Sequence, residues 1–242
     1  MRIAVISDIH SNLHALEAVL TDIETEAPDE IWCLGDVVGY GPKPNECADI
    51  VRERAAVVLV GNHDLAATGK LDTADFGPLA AESARWTERA LGEAQASWLR
   101  SLEPAATREG LELYHGSARD PVWEYVLSEE VALENLQVTT APIVLVGHSH
   151  LALALSWDGV RLDGGLAPGG TELDTPDARW LINPGSVGQP RDGDARAAWL
   201  LIDKAIGRAA FRRVPYPIDE TQAEMRAAGL PEDLATRLAR GV

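Results

Sequence analysis

Five short polar motifs hold five of the six histidines in this 242-residue chain, and their side chains are typical ligands of divalent metals. In chain order the motifs are Asp8-Ile9-His10, Gly35-Asp36, Gly61-Asn62-His63-Asp64, His115-Gly116 and Gly147-His148-Ser149-His150. Imidazole, carboxylate and amide donors without thiolate suit Mn, Fe, Co or Zn better than Ca or a structural zinc. Two such ions about 3.5–4 Å apart can clamp the attacking and leaving oxygens of a phosphoryl transfer, and a bound water ionises near neutral pH. The motifs therefore indicate metal-assisted hydrolysis.

The first two motifs are weak signals when they are taken alone. Asp-x-His is more often a cap with a surface histidine, and Gly-Asp is common in ordinary turns. His148 and His150 are a stronger signal, because side chains two residues apart in an extended segment point to the same side. Together the motifs follow apolar runs, and each buried polar group without a partner costs roughly several kcal/mol. A pair of metal ions would satisfy them all, so we expect a metal site.

Buried strands alternate with helices in the segments that carry the first three motifs. The apolar runs 3–6, 31–34 and 57–60 lack polar alternation, which is typical of strands covered on both faces. Asn12 is a candidate N-cap for a first helix, and a second helix is expected over 46–54. Right-handed crossovers make such strands parallel and bring their carboxyl ends to one edge, where ligands bind in open α/β sheets. The first three motifs should therefore lie close together.

In the remaining sequence, the pattern of predicted secondary structure changes near residue 151. Before that point the expected elements are a helical stretch over 78–103, a strand at 111–114, a helix from its cap Ser128 to 135, and a strand at 143–146. After it, short strands separated by Gly, Pro and Asp predict an antiparallel second sheet, at 151–157, 159–162, 179–182, 197–203 and 209–214. Residues 163–178 are expected to form a loose loop, and 218–240 two helices.

Composition favours one domain over residues 1–242 and argues against several partners. A chain of this length with 46% hydrophobic residues can bury one substantial core. Its net charge of −17 repels duplex nucleic acid, although bound metals can reverse the local field for a small phosphorylated substrate. No stretch approaches the roughly 20 apolar residues of a membrane span. Cys33 and Cys47 form no thiolate motif. We expect a cytoplasmic protein without a membrane partner, and a homodimer is left open.

The five motifs resemble those of the calcineurin-like metallophosphoesterase superfamily, whose pattern is D-x-H, G-D, G-N-H-[DE], H and G-H-x-H. The match extends over residues 1–150. The resemblance implies a four-layer α/β/β/α sandwich of two mixed sheets around a dinuclear metal centre. It also implies two ligand sets that share one residue: Asp8, His10 and His150 for the first metal, Asn62, His115 and His148 for the second, and Asp36 for both.

The same resemblance implies catalytic roles for two residues. His63 would not bind metal but would lie over the site, where it protonates the leaving group or stabilises the developing charge. Asp36 would act by bridging the two ions. From the residues themselves, we interpret Asp64 as a carboxylate that orients a neighbouring histidine, with a helix N-cap as the alternative.

Three residues are candidates for contact with a substrate. Arg191 could present its guanidinium to a phosphate, against the alternative of a surface ion pair with Asp192 or Asp194. Tyr40 could stack on a base, against the alternative that it packs in the core. Asn62 is expected to face the substrate as well as the second metal.

Two further segments resemble a narrower clade, the small prokaryotic phosphodiesterases related to diadenosine tetraphosphate hydrolases. They are residues 35–42, G-D-V-V-G-Y-G-P, and residues 183–192, N-P-G-S-V-G-Q-P-R-D. The clade often has Thr at Ser149 and Pro at Ala118, and neither departure touches a ligand position. The resemblance implies that metal-activated hydroxide cleaves phosphodiester or pyrophosphate bonds of small nucleotide-type substrates. Manganese is the first choice for both ions, before Fe, Zn, Co or Ni.

Two other functions fit the same motifs. A phosphomonoesterase, including a serine/threonine protein phosphatase, would use the same metals and differ only in its substrate pocket. A non-catalytic scaffold of the same fold is the other alternative, although every ligand position is present here.

Overall fold

The computed structural model describes all 242 residues, and its strands form two six-stranded sheets. The first sheet has the order β3 (Val57–Val58), β2 (Glu30–Cys33), β1 (Arg2–Ile6), β11 (Ala197–Asp203), β12 (Arg208–Val214) and β9 (Glu172–Asp174). The second sheet has the order β4 (Ala105–Arg108), β5 (Leu111–Tyr114), β6 (Ile143–Leu145), β10 (Arg179–Pro184), β7 (Ala152–Trp157) and β8 (Leu162–Leu166).

Eight α-helices accompany the sheets. They are α1 (Leu13–Glu26), α2 (Pro44–Arg54), α3 (Asn62–Ala67), α4 (Pro78–Ala90), α5 (Glu93–Arg100), α6 (Glu129–Val138), α7 (Ile218–Ala227) and α8 (Glu232–Leu238). The predicted caps are confirmed, since Asn12 accepts from the Ala15 amide and Ser128 from the Val131 amide. None of the helices combines the length and the apolar composition that crossing a bilayer requires.

Three apolar layers show how the sheets and helices stack. Along β1, Ile3 and Val5 pack between the two sheets, whereas Ala4 and Ile6 face helices on the outer side. A third cluster joins the outer face of the second sheet to α6. Side chains alternate between faces along a strand, so each sheet buries both of its faces. The expected four-layer α/β/β/α sandwich is confirmed.

Both sheets are mixed, as the resemblance implied. Strands β1, β2 and β3 are parallel, which confirms the arrangement predicted from the first three motifs, and β11 pairs with β1 in the antiparallel direction. In the second sheet β5, β6 and β10 are parallel. The prediction that the strands after residue 151 form a separate antiparallel sheet is wrong. They divide between the two sheets, because β9, β11 and β12 extend the first one.

Local differences from the predictions lie mostly in turns. Residues 163–178 are not a loose loop, because they contain most of β8 and all of β9. Residues 159–162 are not a strand but mainly a turn, in which the Asp158 carboxylate accepts the amides of Val160 and Arg161. The helical stretch 78–103 is two helices, α4 and α5, and strand β4 that follows them was not predicted.

Candidate metal centre

The loops that follow the strands bring the five motifs together. Asp8 and His10 follow β1, Asp36 follows β2, and His115 comes directly after β5. The third motif begins α3, a short helix that was not predicted, and the fifth follows β6. All the predicted ligands are buried, with at most 3% of any of them exposed. Such burial of polar side chains requires partners that compensate for the loss of water.

The side chains form two clusters, each with three ligand atoms within 4.8 Å of one another. The first cluster is Asp8, His10 and His150, and the second is Asp36, His115 and His148. In the first, the Nε2 atoms of His10 and His150 are 3.0 Å apart, and Asp8 Oδ1 lies 3.5 Å from His150 Nε2. Imidazoles and carboxylates at this spacing are a donor set for a divalent transition metal.

Asp36 lies between the two clusters. Its Oδ2 atom is 3.6 Å from His10 Nε2 in one cluster and 3.6 Å from His115 Nε2 in the other. The Asn62 Oδ1 atom is 3.2 Å from His115 Nε2, so this amide joins the second cluster. A carboxylate in this position can ligate two ions at once, as the resemblance implied for Asp36.

Buried atoms without hydrogen-bond partners point into the clusters. Asp8 Oδ1, Asp36 Oδ2 and His148 Nε2 are all buried and have none. The second oxygen of each carboxylate is occupied, because Asp8 Oδ2 accepts the amide of His148 and Asp36 Oδ1 accepts the amide of His63. One oxygen of each carboxylate thus accepts a hydrogen bond from the backbone, while the other is available to a metal. These residues therefore fit two divalent ions.

Backbone carbonyls orient three of the histidines. The Nδ1 atoms of His10, His115 and His150 hydrogen bond to carbonyl oxygens at 3.2, 2.9 and 2.6 Å; these belong to Val38, Leu34 and Gln189 respectively. Such a bond selects the tautomer that protonates Nδ1 and leaves the Nε2 lone pair for a metal.

The backbone of the ligand residues is strained. Asp8, His10, Asp36, His148 and His150 all have φ between 50° and 63°, in the left-handed region. Residues other than glycine rarely occupy this region, and each costs on the order of 1–3 kcal/mol. The concentration of this strain at the ligand residues indicates a functional site.

Burial shifts the pKa values of five of the cluster residues towards their neutral forms. It is the largest cause that lowers the pKa of His10 and His150, and it lowers that of His148 to about 2. Burial also raises the pKa of Asp8 to about 7, and it raises that of Asp36, where the nearby Asp64 carboxylate adds to the effect. The histidines are therefore ready to bind metal, whereas the carboxylates must first lose protons.

The end of β10 and the segment that follows it hold the ligand loops in place. The Asn183 amide donates to the Gly147 carbonyl and to the Ser149 hydroxyl, and the Ser186 hydroxyl donates to the Asp8 carbonyl. Gly188 approaches so closely that an added Cβ would lie 1.8 Å from the Ile9 carbonyl oxygen. The sequence singled out residues 183–192 only by their resemblance to a clade, because these contacts depend on strand pairing.

The interpretation of Asp64 is corrected by its contacts. Its carboxylate accepts the amides of Val38 and Gly61, and it makes no hydrogen bond to a histidine. It is the third residue of α3 rather than its N-cap, which is Gly61, and by accepting the Gly61 and Val38 amides it ties the loop after Asp36 to the start of that helix.

His63 stands outside both clusters, as the resemblance implied. It is 5% exposed and lines a cavity beside them, and its Nδ1 atom is buried without a partner. The Tyr40 ring is 4.4 Å from that of His63 and 4.7 Å from that of His10, and Tyr40 is only 7% exposed. Packing accounts for most of the Tyr40 ring, which also borders the cavity, and its contact with a base stays a prediction.

Arg191 is not in a surface ion pair, the alternative considered for it. Asp192 pairs with Arg213, and Asp194 pairs with Arg196. The Arg191 guanidinium lies 5.9 Å from the centre of the Tyr40 ring, on the wall of the cavity. Its positive charge is among the causes that lower the pKa of Asp8, which places it close to the first cluster.

The cavity itself has a volume of about 420 Å³, within the range of small-molecule sites. Aromatic side chains line it: the Phe76 ring is 5.0 Å from that of His63 and 5.2 Å from that of Trp123. Tyr125 stacks at 3.9 Å on the ring of His148 and is 43% exposed. Phe76 was not predicted, because a single aromatic residue in a polar loop has no sequence signature.

Comparison with known proteins identifies a family with this fold and these motifs. The family model for the calcineurin-like phosphoesterase superfamily domain matches residues 1–205. An uncharacterized protein of Methanocaldococcus jannaschii is 38% identical over 245 residues, which is 99% of this chain and 98% of the relative. The crystal structure of a metallophosphoesterase from Sphaerobacter thermophilus is 44% identical, with a TM-score of 0.90 over 100% of this chain and 99% of that one.

A shorter match concerns a named activity. A symmetrical bis(5'-nucleosyl)-tetraphosphatase of Thioalkalivibrio sulfidiphilus is 35% identical over 68 residues, 27% of this chain and 25% of that protein. The long matches carry the assignment, since they extend over nearly all of the two sheets. By this likeness and by the two clusters that family members need for divalent metals, the chain belongs to the calcineurin-like phosphoesterase superfamily and is a phosphoric ester hydrolase.

Proposed function

We propose that the chain is a dinuclear phosphodiesterase that cleaves phosphodiester or pyrophosphate bonds in small nucleotide-type substrates. The observation that carries this proposal is the position of Asp36 Oδ2, 3.6 Å from one histidine of each cluster. Two bound divalent ions supply a hydroxide nucleophile and neutralise the charge that develops on the phosphoryl oxygens. We propose Mn²⁺ for both ions, because the donors are nitrogen and oxygen only.

The ligand roles follow from the clusters. Asp8, His10 and His150 hold the first ion and Asp36 is shared; the second ion is held by Asn62, His115 and His148. His63 supplies a proton or an N–H donor at the leaving group, and Arg191 binds a phosphoryl oxygen. The last two helices, α7 and α8, contribute to the same unit, since Met225 and Leu234 pack in one cluster with Tyr40.

The substrate class rests on the walls of the cavity. Phe76 and Trp123 offer aromatic faces to a nucleobase, and Arg191 offers a guanidinium to a phosphate. The partial match to a bis(5'-nucleosyl)-tetraphosphatase supports the same class. Cys33 and Cys47 are unpaired and buried, which supports a reducing compartment such as the cytoplasm.

Parallel hydrolysis assays test the proposal. The Mn²⁺-loaded protein should cleave diadenosine tetraphosphate and bis-(p-nitrophenyl) phosphate faster than p-nitrophenyl phosphate. EDTA should abolish this activity, and excess Mn²⁺ should restore it. Preference for the monoester would instead identify a phosphatase. Absence of turnover on all three substrates, with Mn²⁺ shown to be bound, would refute the proposed activity.

Metal binding should become stronger as the pH rises from 5 to 8. Without metal, the pKa of Asp8 is about 7, above its usual value of 3.8. Its contribution to stability is then complete at acid pH and is lost as the pH rises through 7, by up to about 4 kcal/mol. A bound metal ion takes the place of the Asp8 proton, so the metal-bound protein does not lose this stability as the pH rises. The rise in melting temperature on adding Mn²⁺ should therefore grow between pH 5 and 8.

Scanning fluorimetry in Mn²⁺ and in EDTA measures this difference at each pH. The buried neutral histidines change the stability of the metal-bound and the metal-free protein in the same direction. Their contributions therefore largely cancel in the difference between the two melting temperatures. Asp8→Asn is the matched variant, because residue 8 then has no proton to release. Its Mn²⁺-dependent shift should be smaller and should vary less with pH, the remaining variation coming from Asp36, whose pKa burial also raises. An equal shift at pH 5 and pH 8 in the unmodified protein would argue against the coupling.

A further inference from the structure

Arg237 reaches the cavity beside the metal centre from α8, the last helix of the chain. Leu234, Ala235 and Leu238 on the same helix pack in a cluster with Tyr40, which lies in the loop after β2. The Arg237 Nε atom donates to the carbonyl of Val242. Packing and this hydrogen bond fix the stem of the side chain, while its remaining N–H groups are left for another acceptor.

No aspartate or glutamate side chain pairs with Arg191 or Arg237 in the cavity, although the chain has 38 acidic residues and 21 basic ones. Neither makes a salt bridge, and Asp192, the neighbour of Arg191, is taken by Arg213. The Nε atom of Arg191 is buried and has no hydrogen-bond partner. Asp75, the acidic residue on the cavity wall, is exposed and bonds to neither arginine.

Two guanidiniums in one cavity repel each other when no acidic side chain lies between them. Arg191 donates to the neutral side-chain oxygen of Gln189, which does not offset its charge. Burial lowers the pKa of Arg237, and the positive charge of Arg191 is the next cause. Partly buried charges of one sign are unfavourable unless an anion lies between them. Arginine presents a planar fork of donors that matches phosphate oxygens, so a phosphoryl group is the anion that suits this pair.

The order of the two arginines along the cavity follows from their surroundings. The Arg191 amide donates to the carbonyl of His150, a residue of the first cluster, so Arg191 lies beside the metal ligands. Arg237 enters the cavity from α8, which carries none of the ligands. A phosphate between the two arginines would therefore be adjacent to the phosphate at the metals.

We propose that Arg191 and Arg237 form a second phosphate subsite, which holds the phosphoryl group next to the one that is cleaved. The inference rests on the proposed function and narrows it, because such a subsite selects substrates with a pyrophosphate linkage over those with one phosphate. Arg237 is a specificity residue in this scheme, and Arg191 contacts both phosphates.

Calorimetric binding of ADP and AMP to the protein in saturating Mn²⁺ tests the subsite. Arg237→Ala should weaken ADP binding by roughly 10- to 100-fold, as expected for the loss of charge-assisted hydrogen bonds, and AMP binding by less than about 3-fold. Arg237→Lys should recover part of the loss, since it keeps the charge but not the fork. Arg226→Ala is the matched control, because Arg226 lies on α7, pairs only with Glu232 and does not line the cavity.

The proposal is overturned if Arg237→Ala weakens both nucleotides equally or weakens neither. An equal loss would show that the arginine supports the fold or the first phosphate. Turnover of bis-(p-nitrophenyl) phosphate, measured on the same samples, separates this result from the proposed function. Turnover without a selective ADP effect refutes the subsite alone, and a selective ADP effect without turnover refutes the phosphodiesterase alone.

Discussion

Replacing Asp36 with Asn should lower turnover by about 10³-fold or more and leave the chain folded. The substitution keeps the size of the side chain and an oxygen for the His63 amide, but it removes the negative charge of the oxygen that lies 3.6 Å from His10 and from His115. Loss of a shared metal ligand removes several kcal/mol of transition-state stabilisation, and each 1.4 kcal/mol or so is a factor of ten in rate. We therefore expect fewer than two Mn²⁺ ions per chain.

The same substitution should not destabilise the metal-free protein. Burial, with the neighbouring charge of Asp64, raises the pKa of Asp36 well above its usual value, so the ionised carboxylate is unfavourable without metal. An amide avoids that cost. The melting temperature in EDTA should be equal to or above that of the unmodified protein, while the rise caused by Mn²⁺ should shrink.

Elemental analysis, turnover and melting curves together measure this prediction. Asp75→Asn is the matched control, since Asp75 lines the same cavity but is exposed and belongs to neither cluster. Two Mn²⁺ ions per chain with at least a tenth of the original activity in Asp36→Asn would show that Asp36 is not the shared ligand.

His63→Ala should keep both metals and lower turnover by roughly 10²- to 10⁴-fold, the usual worth of general acid catalysis. His63 lines the cavity, belongs to neither cluster, and has a buried Nδ1 atom without a partner. Burial, with the positive charge of Arg191, lowers its pKa. The ring is therefore neutral at pH 7 in the free protein, and the negative charge of a bound phosphate would favour its protonation.

Two ester substrates separate the two roles of His63. If it transfers a proton, His63→Ala should lose more activity on a phenyl ester than on a p-nitrophenyl ester, because the poorer leaving group depends more on protonation. If it only donates a hydrogen bond to a phosphoryl oxygen, the two losses should be equal. Full activity of His63→Ala on both esters, with two Mn²⁺ ions bound, would remove it from the catalytic machinery.

Much of the candidate site could be predicted because its ligands lie in short motifs after buried strands. Strands β1 and β2 are parallel and adjacent, so Asp8 and Asp36 had to be close. The side-chain neighbours were harder to predict. The Asp64 carboxylate accepts hydrogen bonds from the backbone amides of Val38 and Gly61 rather than from a histidine. Arg191 has no ion pair with its neighbour Asp192, because Arg213 on β12 pairs with that carboxylate.

The fold was harder to predict where partners are distant in sequence. The apolar pattern located β11 correctly, but it could not indicate that β11 pairs with β1 rather than with the strands that precede it. Strand alternation shows which faces are buried, and it contains no information about which sheet a strand joins. Arg237 was missed for a similar reason, since an arginine in the last turn of an amphipathic helix is usually solvated.

The pairing of β1 with β11 has a consequence for the synthesis of the protein. Ala4 lies opposite Leu201 in that pairing, so the central strand of the first sheet has its antiparallel partner near the other end of the chain. Contacts between such distant segments form slowly, and a growing chain leaves the ribosome from its N-terminus. All the metal ligands are thus translated before the strand that completes their sheet. We expect the nascent chain to expose them unassembled, so that metal loading follows release from the ribosome.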